Sequence, residues 1–324
     1  MLPIQYKYTI ARFKDTVMIL FVLACQSPID ENTVTEAPRV VEGQVRFVAI
    51  GDAGEGNDAQ FAVADVVEQV CFEQGCDFAI YLGDNFYDVG VESVDDIQFI
   101  DKFELPYENL DFPFYVSLGN HDYGGAGHLI DRPDPQVEYT LYSEKWILPD
   151  RTHDFVQQHI QFLALDTNAL MWSSQWGGYD TQSEWARETI NSSNHLWKIA
   201  FGHHPYISNG VHGVAGRYDG LENVPVASGL DVQRFVEEEL CGKVDVYFSG
   251  HDHDLQWLEP QCGTEFIVSG AGAKNRNIED WGVPTLFETA DQPGFAWVEI
   301  IDNQMKVEFY GMDGNRLYEG IVEK

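Results

Sequence analysis

Short apolar runs that break off at Gly-Asp, Gly-Asn or Gly-His recur through most of this chain, and segments with helical spacing lie between them. RFVAIGD, DFAIYLGD, FPFYVSLGN, IQFLALDTN, LWKIAFGHH and VDVYFSGHD read as strands. DAQFAVADVVEQV, SEWARETINSS and LDVQRFVEEEL read as helices, with a further helix around IQFIDKF. After Glu265 the pattern turns to strands alone, in FIVSGAG, AWVEIID, QMKVEFYGM and RLYEGIVE. This order predicts an α/β domain over residues 44–324 in which two packed mixed β-sheets are flanked by helices. The stretch from Tyr123 to Pro135, rich in Gly, Asp and Pro, reads as a surface loop. Trp172, Trp176 and Tyr179 crowd one further segment, where a substrate wall and ordinary core packing are equally open.

The residues at the ends of these runs carry chemistry. GDAG, GDNFY, GNHD, GHHP and GHDH follow one another from Gly51 to His253, and ligands bind at the carboxyl ends of strands in open α/β sheets. They offer Asp52, Asp84, Tyr87, Asn120, His203, His251 and His253 as ligands, too many for one metal ion and suited to two that share a carboxylate. Asp84 is the expected bridge. Read as extended backbone, GHDH directs His251 and His253 to one side, because side chains two apart on a strand point the same way. The adjacent His203 and His204 then diverge, so His203 is expected to ligate and His204 to stand at the rim or behind the ligands. Asp122 is expected to orient His121. Any one of these segments alone is an ordinary turn; five in register are not.

These motifs, from about Arg46 to Ser269, resemble the calcineurin-like metallophosphoesterases. Within them the chain resembles the purple acid phosphatases of tartrate-resistant type, a branch marked by Tyr87 in GDNFYDVGV. The resemblance implies a four-layer α/β/β/α sandwich. It implies that Asp52, Tyr87 and His253 hold Fe(III), that Asn120, His203 and His251 hold a divalent ion (Fe, Zn or Mn), and that Asp84 bridges the two. His121 and His212 become the catalytic histidines beside the substrate. Ala53 replaces an aromatic residue often found there in animal members, a change not expected to disturb the metals. The implied activity is hydrolysis of phosphate monoesters at acid pH, with an ion-activated hydroxide attacking phosphorus in line. A phosphodiesterase or nucleotidase on the same centre is the nearest alternative, and a non-catalytic phosphate- or metal-binding lipoprotein a further one. His128, His153, His159 and His195 lie outside every motif and read as ordinary histidines.

The N-terminus adds an address. Lys7, Arg12 and Lys14 precede an apolar run from Val17 to Ala24 that is far shorter than the roughly 20 residues of a membrane span, so residues 1–24 read as a signal peptide. Val22-Leu23-Ala24-Cys25 resembles a bacterial lipobox, which makes Cys25 the expected lipid-bearing residue and residues 25–43 a flexible tether. Export to a bacterial periplasm or cell surface, with membrane contact only through that lipid, is the resulting expectation. Four cysteines remain, and an exported chain suits disulfides. Three connectivities are possible, of which the local pairs Cys71–Cys76 and Cys241–Cys262 are favoured. With 53 acidic and 19 basic residues the net charge is −34, which disfavours nucleic acid as a partner. It does not exclude small phosphorylated substrates, since surface repulsion is screened beyond about 8 Å and bound ions dominate the local field.

Overall fold

The computed structural model describes residues 43–324 apart from 223 and 280; the expected signal peptide, Cys25 and nearly all of the tether lie outside the described residues. Among the described residues fourteen strands form two seven-stranded sheets. In the first, β1 (Gln44–Ile50), β2 (Phe78–Leu82), β3 (Phe114–Ser117) and β4 (Trp146–Ile147) run parallel. On the other side of β1, β12 (Gly294–Ile301), β13 (Gln304–Gly311) and β14 (Arg316–Glu323) continue the sheet antiparallel. The second sheet has β6 (Ile160–Ala164), β7 (Trp197–Phe201), β8 (Val246–Ser249) and β10 (Thr264–Ser269) parallel at its centre. Antiparallel β5 (His153–Gln157) lies at one edge, with β9 (Leu255–Gln261) and β11 (Thr285–Thr289) at the other.

Alternation along the strands sorts their side chains into layers. Val45, Phe47 and Ala49 of β1, Phe78, Ile80 and Leu82 of β2, and Phe162, Ile199 and Phe248 opposite meet between the sheets. Val48, Ile50, Ala79 and Tyr81 face outward onto the helix Asp58–Gln74. The outer side of the second sheet packs Leu163, Ala200 and Tyr247 against Ala186 and Ile190 of the helix Tyr179–Ser192, and against Val232 and Phe235. This is the expected sandwich of two mixed sheets between helices. Phe47 sits at its centre, stacked on Phe78 at 5.2 Å and edge-on to Phe162 and Phe248 at 5.5 and 5.8 Å.

Several local readings change. Residues 251–254 form a bend, not extended strand, and His251 takes a left-handed φ of 69°. Tyr123 is fully buried, so the loop that begins there is anchored in the core, and its far end enters a short helix, Asp134–Tyr139. The helix read over LDVQRFVEEEL is α-helical at Leu230–Phe235 and widens to a π-turn at Val236–Leu240. Cys71 is bonded to Cys76 at the end of the helix Asp58–Gln74, and Cys241, directly after the π-turn, to Cys262 in the β9–β10 turn.

Candidate metal centre

Five strands end at one place. Asp52 follows β1, Asp84 follows β2, Asn120 lies beyond β3, His203 follows β7, and His251 and His253 follow β8. Hydrogen bonds join the two sheets there: Gly51 N–H donates to the Ser269 carbonyl at 2.8 Å, and the His203 ring Nδ1 meets the Leu82 carbonyl at 2.9 Å. Asp52, Asp84 and His251 have φ of 56°, 53° and 69°. Left-handed backbone costs a non-glycine residue about 1–2 kcal/mol, and such strain collects where a site fixes side-chain direction. The glycines of the motifs serve close approach. A Cβ on Gly119 would stand 2.3 Å from Asp84 Oδ1, and one on Gly250 2.5 Å from Asp52 Oδ2.

The seven expected donors are brought together in two groups. Tyr87 OH lies 2.8 Å from Asp52 Oδ1 and 3.2 Å from His253 Nε2, and the last two are 3.3 Å apart. His203 Nε2 lies 3.1 Å from both Asn120 Oδ1 and His251 Nδ1, and 3.4 Å from Asp84 Oδ2. Ligand atoms of Asp52, Asp84 and His203 fall within 4.8 Å of one another, so Asp84 is within reach of both groups. Metal bonds of about 2.1 Å separate neighbouring ligand atoms by about 3.0 Å in octahedral and about 3.4 Å in tetrahedral geometry. The observed spacings fall in that range apart from the 2.8 Å between Tyr87 and Asp52, a hydrogen-bond distance. Asp52 and Asp84 are also essentially fully buried, and among the described residues neither forms an ion pair with Lys or Arg. Buried carboxylates without a fixed cation are costly, so both spacing and charge fit bound metal ions.

Titration follows the same charges. Burial works against the ionised form of Asp84, yet His203 and His121 hold its carboxyl far below the usual range. Burial likewise opposes protonation of His203, but Asp84 and Asp52 push it up to about 9. His251 is driven well down by burial and by the surrounding histidines, so its ring stays neutral. Burial, then Asp52 and Asp84, raises the Tyr87 phenol.

The neighbours of these donors depart from the sequence reading. Asp122 does not touch His121: it turns into the core and accepts N–H groups from Asn85, Phe86, Gly119 and Gln136, tying the loops after β2 and β3 together. The Asp88 carbonyl orients His121 instead, 2.6 Å from Nδ1, and leaves Nε2 4.0 Å from Asp84 Oδ2. His204 is not at the rim. It is 2% exposed, its Nδ1 lies 2.9 Å from Thr167 Oγ1, and its nitrogens cluster with those of His203 and His251, because GHHP bends as it leaves β7. The premise for His251 and His253 fails for the same reason: the bend sends His251 to His203 and His253 to Tyr87.

His212 stacks on His251 with ring centres 4.1 Å apart, and its Nδ1 lies 2.9 Å from Asp219 Oδ1. Burial lowers its pKa, but the Asp219 hydrogen bond and the charge of Asp252 outweigh this and raise it. The sequence reading missed Asp219, Thr167 and Lys274, whose Nζ pairs with Glu55 and sits 3.3 Å above the Tyr87 ring. None of the three belongs to a recurring motif, and a lone Asp in RYDG looks like any turn residue. A pocket of about 280 Å³ opens beside Asn120, His204, His212 and His251, and Trp172 lines it. Trp176 stands behind Trp172, while Tyr179 packs on Phe235 in the core.

The model of the calcineurin-like phosphoesterase family matches residues 45–255, a span that contains all seven donors. The chain belongs to that family. It is 30% identical to purple acid phosphatase 4 of Arabidopsis thaliana, over 95% of this chain and 93% of that protein. It is 27% identical to tartrate-resistant acid phosphatase type 5 of Homo sapiens, over 85% and 90% respectively. Two solved structures share the fold. GAP50, the anchor in the inner membrane complex of Plasmodium, superposes with a TM-score of 0.70 at 20% identity over 86% of this chain and 89% of that one. A purple acid phosphatase from yellow lupin seeds gives 0.63 at 17% over 89% and 55%. Family and donor set together support a metal-dependent phosphoesterase.

Proposed function

We propose that the protein is an acid phosphatase that hydrolyses phosphate monoesters on a dinuclear centre of Fe(III) and a divalent ion. The observation that carries this reading is the pair of donor groups flanking Asp84, with three further histidines, His121, His204 and His212, beside them that belong to neither. Asp52, Tyr87 and His253 would hold the ferric ion, Asn120, His203 and His251 the divalent ion, and Asp84 both. When bound, the ions supply positive charge to the phosphate oxygens and acidify water. The side chains do the rest. His203 presents Nε2 because Nδ1 is engaged by the Leu82 carbonyl. His212 gives its Nδ1–H to Asp219 while its Nε2 lies 3.4 Å from Arg276 Nη1, and its raised pKa would let the ring hold a proton for the departing oxygen. His121 is held in the same sense by Asp88 and stabilises charge on the phosphoryl group. Proton transfer of this kind contributes about 10² to 10⁴-fold.

The same reading extends to the cell. The protein acts outside the cytoplasm on small phosphorylated substrates, attached to a membrane through lipid on Cys25 and without nucleic acid as a partner. Among the described residues no helix is long and apolar enough to cross a membrane. The test is turnover of p-nitrophenyl phosphate against its bis ester by purified protein, together with metal analysis. The expected result is preference for the monoester, with one iron and one further metal per chain. Preference for the bis ester would make the protein a diesterase, and two bound metals without turnover of either would make it a binding protein.

A further inference from the structure

The pocket beside the metal centre has a mixed lining. His212 and His251 line it together with the apolar Met171, Trp172, Val226 and Ala227. An apolar wall facing a hydrolytic centre is not needed to hold phosphate, which asks for charge and hydrogen bonds. Trp172 is moreover the outer member of an aromatic stack: its ring lies 5.6 Å from Trp176 at 19°, and Trp176 lies 5.6 Å from Tyr123 at 30°. Tyr123 is fully buried, donates its hydroxyl to Asp166, and stands three residues after Asn120. Asp166 in turn caps the short helix Thr167–Met171, accepting the Ala169 N–H at 2.9 Å, and Trp172 follows that helix directly. On the loop side, Asn168 Nδ2 donates to the Gly127 carbonyl at 3.0 Å. The wall is thus fixed from behind and tied to the loop that carries Asn120 and His121.

We infer that Trp172 is a specificity-determining residue, the face on which an aromatic leaving group of the substrate stacks. This rests on the phosphatase reading and names the substrate class within it: phosphate monoesters whose alcohol part carries a planar ring and no second anionic group. Size and charge argue the same way. About 280 Å³ is at the small end for ligand pockets, which suits a compact ring. Asp219 lines the same pocket and is 46% exposed, so a further phosphate or carboxylate on the leaving group would meet a carboxylate.

The experiment compares naphthyl phosphate with a fluoroalkyl phosphate of matched leaving-group acidity, in the metal-loaded wild type and in Trp172→Ala and Trp172→Phe. Binding of naphthyl phosphonate and methyl phosphonate to the same proteins is measured by calorimetry. An aromatic stack is worth about 0.5–1.5 kcal/mol, so Trp172→Ala should lower kcat/KM for the naphthyl ester by up to roughly tenfold more than for the alkyl ester. Trp172→Phe should restore most of the difference. The naphthyl phosphonate should lose its affinity advantage over the methyl one in the Ala variant alone. Equal losses on both substrates, or a wild type that gains nothing from the ring in either assay, would overturn the inference. If wild type turns over neither ester while the ring still adds affinity through Trp172, the phosphatase reading fails and the aromatic pocket stands.

Discussion

Removing and restoring the metals at different pH values tests the electrostatics of the centre through one histidine. In the metal-free protein His203 is fully buried against Asp84 and Asp52 and is pushed up to about 9. A metal needs Nε2 without its proton, so binding must release that proton. At pH 7 the release costs about 3 kcal/mol, roughly a hundredfold in apparent affinity, and each further unit toward acid costs another tenfold. Stability moves by the same linkage. A folded-state pKa above the ordinary 6.5 contributes stability that is fully present below pH 6.5 and is lost as pH rises through 9. The metal-free protein should therefore lose about 3 kcal/mol from this group between pH 6.5 and 9, whereas the loaded protein, which has already given up the proton, should not. Calorimetric titration of a divalent metal into metal-free protein, in buffers of different ionisation enthalpy, counts the protons released. Thermal melts of both forms from pH 6 to 9 give the stability. His203→Gln should abolish one proton of the release and flatten the metal-free profile. No proton release at pH 7, together with a metal-free protein whose stability is flat from pH 6 to 9, would refute the assignment of a charged His203 beside Asp84.

Three further perturbations separate the roles around the centre. Asp219→Asn removes the carboxylate that raises His212, so the alkaline limb of the pH–rate profile should move to lower pH and turnover of a poor leaving group should fall about 10- to 100-fold with metal content intact; an unmoved limb would free His212 from this partner. Tyr87→Phe should bleach a pink-to-purple absorption band and loosen the iron while leaving the melting curve of the metal-free protein close to wild type, and an active wild type without colour or iron would reduce Tyr87 to packing. Replacing Cys241 and Cys262 by Ser opens a link between residues 21 apart in sequence and should cost roughly 3 kcal/mol in denaturant melts, with no change in metal content.

How far the sequence carried these conclusions depended on whether function sat at the end of a regular element or on a loop of its own. The apolar runs ending at Gly51, Gly83, Gly119, Gly202 and Gly250 are legible because β-structure buried on both faces leaves an unmistakable composition, and five such ends in a parallel α/β pattern must gather at one edge. Strand periodicity stops being valid one residue later. It assigned His251 and His253 a common direction and left His204 open between the rim and a place behind the ligands, but the chain leaves β8 with His251 at φ 69°, which sends the two histidines to different donor groups, and GHHP bends so that His204 is buried beside His203. Strands β5 and β11 escaped because HDFVQ and TLFET alternate with exposed residues at sheet edges, where composition is mixed. The same physics hid Asp219 and left Trp172 ambiguous between wall and core. A loop residue acquires its role from what lies across space, here the His212 ring and an aromatic stack ending at Tyr123, and neither distance is encoded as a spacing along the chain. Regular elements therefore fix where the metals would sit, while the partners that orient the proton donor and select the leaving group lie on loops and become visible only in three dimensions.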